Sequence, residues 1–438
     1  MVSVLHDAAY GRRPLPRGWS WRWLDEVMEI RGGAQPEAST FIGGPRNGYV
    51  RFVQIRDFDT DGHLTYIKDS NKWRKCCKSD ILIARYGASL GRILRGIEGA
   101  YNVALVKAEP TAVESAFLYY LLRSHFFQEP IIQSGARSAQ AGFNKRDLSV
   151  IPVPVPPASE QCAISGILSA LDDKVELNRK MSATLEAMAR ALFKSWFVDF
   201  DPVHAKAEGR DHGLPPEIAA LFPDSFEDSE LGEIPKGWGI ERVGSIANAS
   251  RSTINPAAYP DEPLFHYSIP AFDDGRLPIK QTGSEVQSNK FLVPRDSVLL
   301  SRLNPRTPRV WMPQVDGMLR SICSTEFAVM IPHMVSREWL YGLFSNSEFC
   351  VRFAAMVTGT SGSHQRVKPD SLAAMPVVSP PKSIAGRFTD FASPVLLRAW
   401  HRLSESQTLA TLRDALLPKL ISGEIRVTDA ERLVEQSG

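Results

Sequence analysis

From Ile164 onward, apolar side chains recur at alternating steps of four and three. The positions are Leu168, Leu171, Val175, Leu185, Ala189, Leu192 and Trp196, with polar Asn178 and Ser182 between them. This spacing predicts the seam of a long helix lying along another helix. The run Ile151-Pro152-Val153-Pro154-Val155-Pro156-Pro157 stops helix from spreading backward, and Ser159 can cap the first free N–H groups. About forty residues then follow with no proline and the single glycine Gly166, roughly 55–60 Å of helix at 1.5 Å per residue. A compact core needs no such length, so the helix reads as a spacer that wants a partner.

A second run of this kind follows Pro380-Pro381, some 224 residues after Pro156-Pro157. The same stepping from Ile384 meets Phe388, Phe391 and Val395, then polar Arg398, Arg402 and Glu405, then Leu409, Leu412 and Leu416. Pro394 is expected to kink this helix or divide it in two, because proline removes one backbone bond and crowds the preceding turn.

Shorter patterns repeat as well. Pro16-Arg17-Gly18-Trp19 returns as Pro235-Lys236-Gly237-Trp238, an offset of 219 residues, and the recurrence marks two domain starts. Strand-like alternation covers Tyr49 to Ile55, with a turn at Asp59 to Gly62. Asp80 to Gly87 reads as a buried strand entering a loop, Gly99 to Val106 as another strand, and Ser115 to Ser124 as a short helix. A polar loop from Ser134 to Lys145 comes next. In the second half Asp296 to Arg302 answers the buried strand, Glu338 to Ser345 the short helix, and Thr358 to Arg366 the polar loop. The scaffold is kept while the loops differ, a pattern suited to reading two different things with one fold.

At 438 residues the chain has room for two or three domains, and 43% apolar with 23% charged residues is a globular composition. With no run of eighteen apolar residues and no basic-then-apolar leader, the expected location is the cytoplasm. The five cysteines (76, 77, 162, 323 and 350) are an odd, scattered set, as expected of reduced thiols. A net charge of +2 hides an uneven distribution. Residues 1–150 carry 21 Lys and Arg against 15 Asp and Glu, whereas residues 151–230 carry 7 against 14. A basic first domain beside an acidic stretch is compatible with nucleic-acid binding.

Three strings carry a family resemblance: Ser159-Glu160-Gln161 at the helix start, Ala191 to Val203 (ALFKSWFVDFDPV), and Asp414 to Ile425 (DALLPKLISGEI). With the repeated Pro-basic-Gly-Trp starts, the chain resembles the specificity subunit of type I restriction–modification systems from about Pro16 to Val427. The resemblance implies an α+β protein with two tandem mixed α/β target-recognition domains, separated by two long helices that form an antiparallel coiled coil. On this reading residues 1–157 are the first recognition domain and 158–200 the central helix. Residues 201–230 are an acidic linker, 231–381 the second recognition domain, 382–425 the C-terminal helix and 426–438 a tail. It also implies that each domain reads one half of a split double-stranded DNA site and that the helices set the gap. The chain would perform no chemistry and hold no cofactor. S-adenosylmethionine, ATP and Mg are expected on partner subunits, namely two adenine methyltransferase subunits and, through them, restriction/translocase subunits.

The residues agree in lacking catalytic patterns. Phe200-Asp201-Pro202-Val203 and Ser379-Pro380-Pro381-Lys382 both depart from the Asn/Asp-Pro-Pro-aromatic loop of adenine methyltransferases. No Walker lysine or glycine-rich cofactor loop is present. Asp172-Asp173-Lys174 sits mid-helix without an upstream Pro-Asp, and His204 and His212 lie in the acidic stretch.

DNA contacts are expected from loops, where polar side chains need not serve a core. The first-domain candidates are Arg51, Gln54, Arg56, Arg85, Tyr86, Arg137, Gln140, Asn144 and Lys145. Those of the second are Ser301, Arg302, Asn304, Arg306, His364, Gln365, Arg366 and Lys368. Arg pairs with guanine and Gln or Asn with adenine in the major groove, while Lys mainly meets phosphate. Trp196, Phe197, Val198 and Phe200, with Leu416, Leu417 and Leu420, gather apolar surface at the helix ends and are expected to dock the methyltransferase. The rival reading is a two-headed scaffold gripping protein partners.

Overall fold

Gly18 sits at φ +89° and the Trp19 N–H donates to the Pro16 carbonyl at 3.1 Å; Gly237 sits at φ +81° and the Trp238 N–H donates to Pro235 at 3.0 Å. The two Pro-basic-Gly-Trp strings thus make the same turn, which needs glycine for its left-handed third residue. Each turn leads into a short strand that pairs antiparallel with the proline-rich segment far downstream. Ser20–Trp23 pairs with Pro152–Val155, and Gly239–Arg242 with Pro376–Ser379. The proline-rich segments are therefore strands of two-stranded ribbons, where an absent N–H is tolerated at an open edge.

The computed structural model describes residues 14–136, 142–211, 213–357 and 365–435. The chain divides into two units, Met1–Val175 with Thr408–Gly438, and Glu176–Gln407. The first long helix is Ala158–Phe197 and the second Lys382–Ile421. The unit boundary falls inside each helix, not at its ends, so each unit combines a sheet-built head with parts of both helices.

In the first unit, Met28–Gly32, Leu105–Pro110, Ile81–Ala84 and Ile93–Leu94 form an antiparallel four-stranded sheet. A second sheet joins Tyr66–Lys68, Tyr49–Val53, Gly99–Tyr101 and Lys75–Cys76. The expected strand from Gly99 to Val106 is two strands, because Asn102 turns the chain: its Oδ1 accepts the Ala104 N–H at 2.6 Å and its carbonyl the Leu105 N–H at 2.9 Å. The second unit repeats this plan. Ala247–Ser250, Phe327–Pro332, Val298–Ser301 and Val310–Trp311 form the four-stranded sheet, beside a five-stranded one.

Each head is fastened to its helices by a core and a half-buried carboxylate. In the first unit Ile164, Leu168, Leu171 and Val175 share a core with Leu409, Leu416, Leu417, Leu420 and Ile421. Asp172 there accepts hydrogen bonds from Tyr120 at 2.9 Å, Arg123 at 3.0 Å and Arg413 at 2.5 Å. Glu160 pairs with Arg426, just past the second helix, while Asp172 meets Arg413 within it, so positions rising along the first helix meet positions falling along the second, an antiparallel pairing. In the second unit Phe193, Trp196 and Phe197 pack edge-on against Phe388 with ring centroids 5.3–6.4 Å apart, a favoured aromatic geometry. Glu186 accepts from Arg276 at 2.7 Å and from Arg190. Gly342 leaves room for this packing: a Cβ there would lie 2.3 Å from the Phe193 ring.

Four expectations are corrected. Helix starts at Ala158, with the Glu160 and Gln161 N–H groups donating to the Pro157 carbonyl, so Ser159 lies inside it and is not the cap. Helix also runs through Pro394 without a break. Pro394 and Asp390, whose carbonyl loses its donor, both face solvent, where water can take the free acceptor. The buried stripe of the second helix is Ala385, Phe388, Ala392, Leu396, Ala399, Ser406 and Leu409, leaving Phe391 and Arg398 exposed. A strict seven-residue step drifts out of phase with a 3.6-residue turn, which explains the slip. Finally, the acidic stretch 201–230 is no bare linker. It forms helices Asp201–Ala207 and Pro216–Ala219 and opens the hairpin Phe226–Pro235, with Val203, Ile218 and Phe222 buried in the second unit's core.

Candidate nucleic-acid interface

In the first head, Ile81–Ala84 is buried along its whole length and surfaces at Arg85 and Tyr86. The Arg85 N–H donates to the Ala104 carbonyl at 2.8 Å, its Nε donates to the Phe143 carbonyl at 2.8 Å, and its guanidinium lies 5.1 Å from the centre of the Tyr86 ring. Tyr86 bridges to Gly142, where a Cβ would come within 2.6 Å of the ring. Phe143 is buried against Phe127, and Asn144 caps helix Lys145–Leu148 by accepting from the Arg146 N–H at 2.8 Å. The far end of the polar loop is thus pinned to the exit of the buried strand. Tyr86 and Lys145 remain exposed. Arg137 and Gln140 lie outside the described residues.

Across the same head, a cleft of about 900 Å³ is lined by Arg51, Lys75, Lys78 and Arg95 together with Asp57 and Asp61. Arg51 pairs with Asp61 at 3.1 Å and faces buried Asp57 at 3.9 Å. Gln54 is half-buried, its amide 3.5 Å from Thr65 Oγ1, while Arg56 is exposed. Lys75, Lys78 and Arg95 were not among the residues singled out from the sequence. The signal was there in the basic run Lys72 to Lys78.

The second head builds its loop exit by the same rule with different side chains. The Arg302 N–H donates to the Glu326 carbonyl at 2.8 Å and its Nη2 to Thr325 at 2.7 Å; burial lowers the proton affinity of its guanidinium. Leu303 bridges to Arg366, the Asn304 N–H donates to Gln365 at 2.9 Å, and the Val367 N–H donates to Arg302 at 3.1 Å. Arg366 is held in a two-pronged pair by Glu326 at 2.7 and 2.8 Å. Arg306 and Lys368 are exposed, and His364 lies outside the described residues. Ser301 is corrected as a contact: it is buried and its hydroxyl donates to the Leu303 carbonyl at 3.0 Å. Several arginines chosen as base readers (51, 85, 302 and 366) are engaged by the protein itself. Glu326, which holds Arg366, carries no local sequence signal that sets it apart from other carboxylates.

Most of the residues expected to dock a partner are placed inside the protein. Trp196 and Phe197 are buried in the second unit's core with Val198 and Phe200 packed against it, and Leu416, Leu417 and Leu420 are buried in the first unit's core. Trp196, Phe197 and the three leucines close each unit's own helix packing, while half-buried Val198 and Phe200 keep part of their apolar surface open. What stays open beside them is a cleft of about 590 Å³ bordered by Val198, Phe200, Leu231, Val351, Glu233 and Glu348.

Residues 16–187 match the family described as type I restriction modification DNA specificity domain. Over the wider chain the similarity extends to the MjaIX type I specificity subunit of Methanocaldococcus jannaschii, 22% identical with 95% of both chains covered. The HindI specificity subunit of Haemophilus influenzae is 25% identical over 80% of this chain and 87% of its own. The chain is similar to type I specificity subunits over most of its length. Among solved structures, the type I S subunit from M. genitalium shares this fold, with a TM-score of 0.57, 14% identity, and 94% and 97% of the two chains covered. Among the described residues, no group of three or more His, Cys, Asp or Glu is placed to hold a metal ion, and no helix is long and apolar enough to cross a membrane.

Proposed function

We propose that this chain reads a bipartite double-stranded DNA site, one half with each head, without performing chemistry itself. The observation that carries the reading is the repeated strand exit. Both heads bond the end of a polar loop to the same point of the same sheet, at Arg85–Tyr86 with Gly142–Phe143 and at Arg302–Asn304 with Gln365–Val367. The side chains displayed there differ between the heads, so one scaffold presents two surfaces. The two long helices hold the heads at a set separation and thereby fix the gap.

Methyltransferase subunits supply the adenine chemistry and dock beside the helix ends. In the second unit the cleft between Phe200, Leu231 and Val351 offers them an apolar surface with acidic rims. S-adenosylmethionine, ATP and Mg belong to those partners.

DNA affinity measured across salt concentrations tests the reading. Phosphate contacts release counterions, so affinity should fall steeply and linearly on logarithmic axes. Absence of DNA binding, or binding indifferent to salt, would favour a two-headed scaffold for protein partners.

A further inference from the structure

Asn304 occupies a backbone position that few side chains accept. Its φ is +49°, in the left-handed region, and it stands third after the buried strand Val298–Ser301. The residue third after the matching strand Ile81–Ala84 in the first head is Gly87, at φ +72°. Both heads therefore need a left-handed residue at one and the same point, and asparagine is among the few non-glycine residues that tolerate it.

The turn that follows is fixed from both sides. The Asn304 N–H donates to the Gln365 carbonyl, and the Asn304 carbonyl accepts the Thr307 N–H, each at 2.9 Å. Pro305 is buried, which anchors the turn from below. Arg306 then stands at its crest, exposed. The neighbouring cations are engaged: Arg309 is gripped by Asp273 at 2.7 and 2.9 Å, Arg302 by Thr325, and Arg366 by Glu326. Arg306 makes no ion pair among the described residues. The first head carries no cation at its matching turn, Gly87-Ala88-Ser89.

Resting on the DNA-reading proposal above, we infer that Arg306 reads a guanine in the half-site of the second head and that Asn304 is the positioning residue that aims it. A guanidinium on a rigid turn can donate two parallel hydrogen bonds to guanine O6 and N7 in the major groove, a pattern no other base offers. The rigidity comes from the bonded turn that the left-handed backbone of Asn304 allows, since a freely moving arginine would meet phosphates without preference.

The test maps methylated adenines in cells expressing the full chain with its methyltransferase. The wild-type motif should contain a guanine in one half that Arg306→Ala relaxes, discrimination there falling about ten- to hundredfold while the other half stays intact. Arg306→Lys should relax the same base, because an ammonium cannot make the paired contact. Asn304→Val should relax the same guanine as Arg306→Ala; Asn304→Ala replaces it if the valine variant does not fold. Arg306→Ala leaving both halves unchanged, or weakening all sequences equally, would overturn the base-reading role. Asn304→Val or Asn304→Ala retaining the guanine would overturn the positioning role. Wild-type methylation without a bipartite motif would overturn the underlying DNA-reading proposal and this inference with it.

Discussion

Replacing Asp172 with alanine tests how the first head is locked to its helices. The carboxylate accepts from Tyr120, Arg123 and Arg413, and its side chain is 17% exposed, against 24% for Arg123 and 15% for Arg413. Without it, Arg123 and the buried Tyr120 phenol lose this acceptor while staying largely out of water, and Arg413 keeps only Asp414. Deleting one partner of a buried ion pair costs about 3–5 kcal/mol, and the partial exposure here puts the expectation near 3 kcal/mol. Asp172→Asn keeps an acceptor but loses the charge, and should cost about 1.5 kcal/mol.

The pH dependence has a definite sign. Burial pushes the Asp172 carboxyl up, but the hydrogen bond from Arg413, the charge of Arg123 and the Tyr120 hydroxyl outweigh it and hold the carboxyl below its ordinary range. A carboxyl lowered by folding stabilises fully above its unfolded value, about pH 4, and loses that contribution as pH falls through the folded value. The difference between wild type and Asp172→Ala should therefore be constant near neutral pH and shrink on acidification below about pH 4. Because the chain has two units, one unfolding midpoint does not describe it. Hydrogen exchange followed by peptide is the better assay. Ser115–Arg123 should exchange faster in Asp172→Ala, and Arg337–Ser345 in the other unit should not change. Unaltered exchange in both helices would refute the claim that this carboxylate fastens the head.

Three further outcomes follow from the packing and the proposed ruler. Trp196→Ala should destabilise the second unit by about 3–5 kcal/mol, read by hydrogen exchange of that unit's peptides, because the ring is fully enclosed; a change confined to partner binding would contradict this. Gly342→Ala should cost about 1–3 kcal/mol in the same measurement, since the added methyl collides with Phe193. Four residues inserted after Ala183 add about one helical turn, near 6 Å, a stutter that a helix pair can absorb. Methylation mapping should then return the same half-sites with a gap longer by about one or two base pairs, and an active variant keeping its original gap would show that the helices do not measure the site.

Much of this fold was legible in the sequence because its largest features rest on local rules. The long helices keep the proposed starts to within a residue and end at Phe197 and Ile421, three to four residues short of the expected limits. The two Pro-basic-Gly-Trp turns need nothing beyond their own glycine and proline. Where tertiary context decides, the pattern misled. The acidic stretch 201–230 has its apolar residues spaced by carboxylates, so its three core residues were not visible as a set. At the candidate interface, residue type alone placed arginines on loops but could not say which ones the protein itself holds. Arg366 and Arg306 look alike in sequence, and only the position of Glu326, forty residues away from Arg366, separates them.

The central claim is that one chain reads two half-sites. It is tested most directly by expressing the chain with its methyltransferase and mapping every methylated adenine in the host DNA. The account predicts two short specific blocks separated by a gap of constant length and indifferent sequence. Methylation within one continuous motif, or two blocks with a gap that varies from site to site, would contradict it.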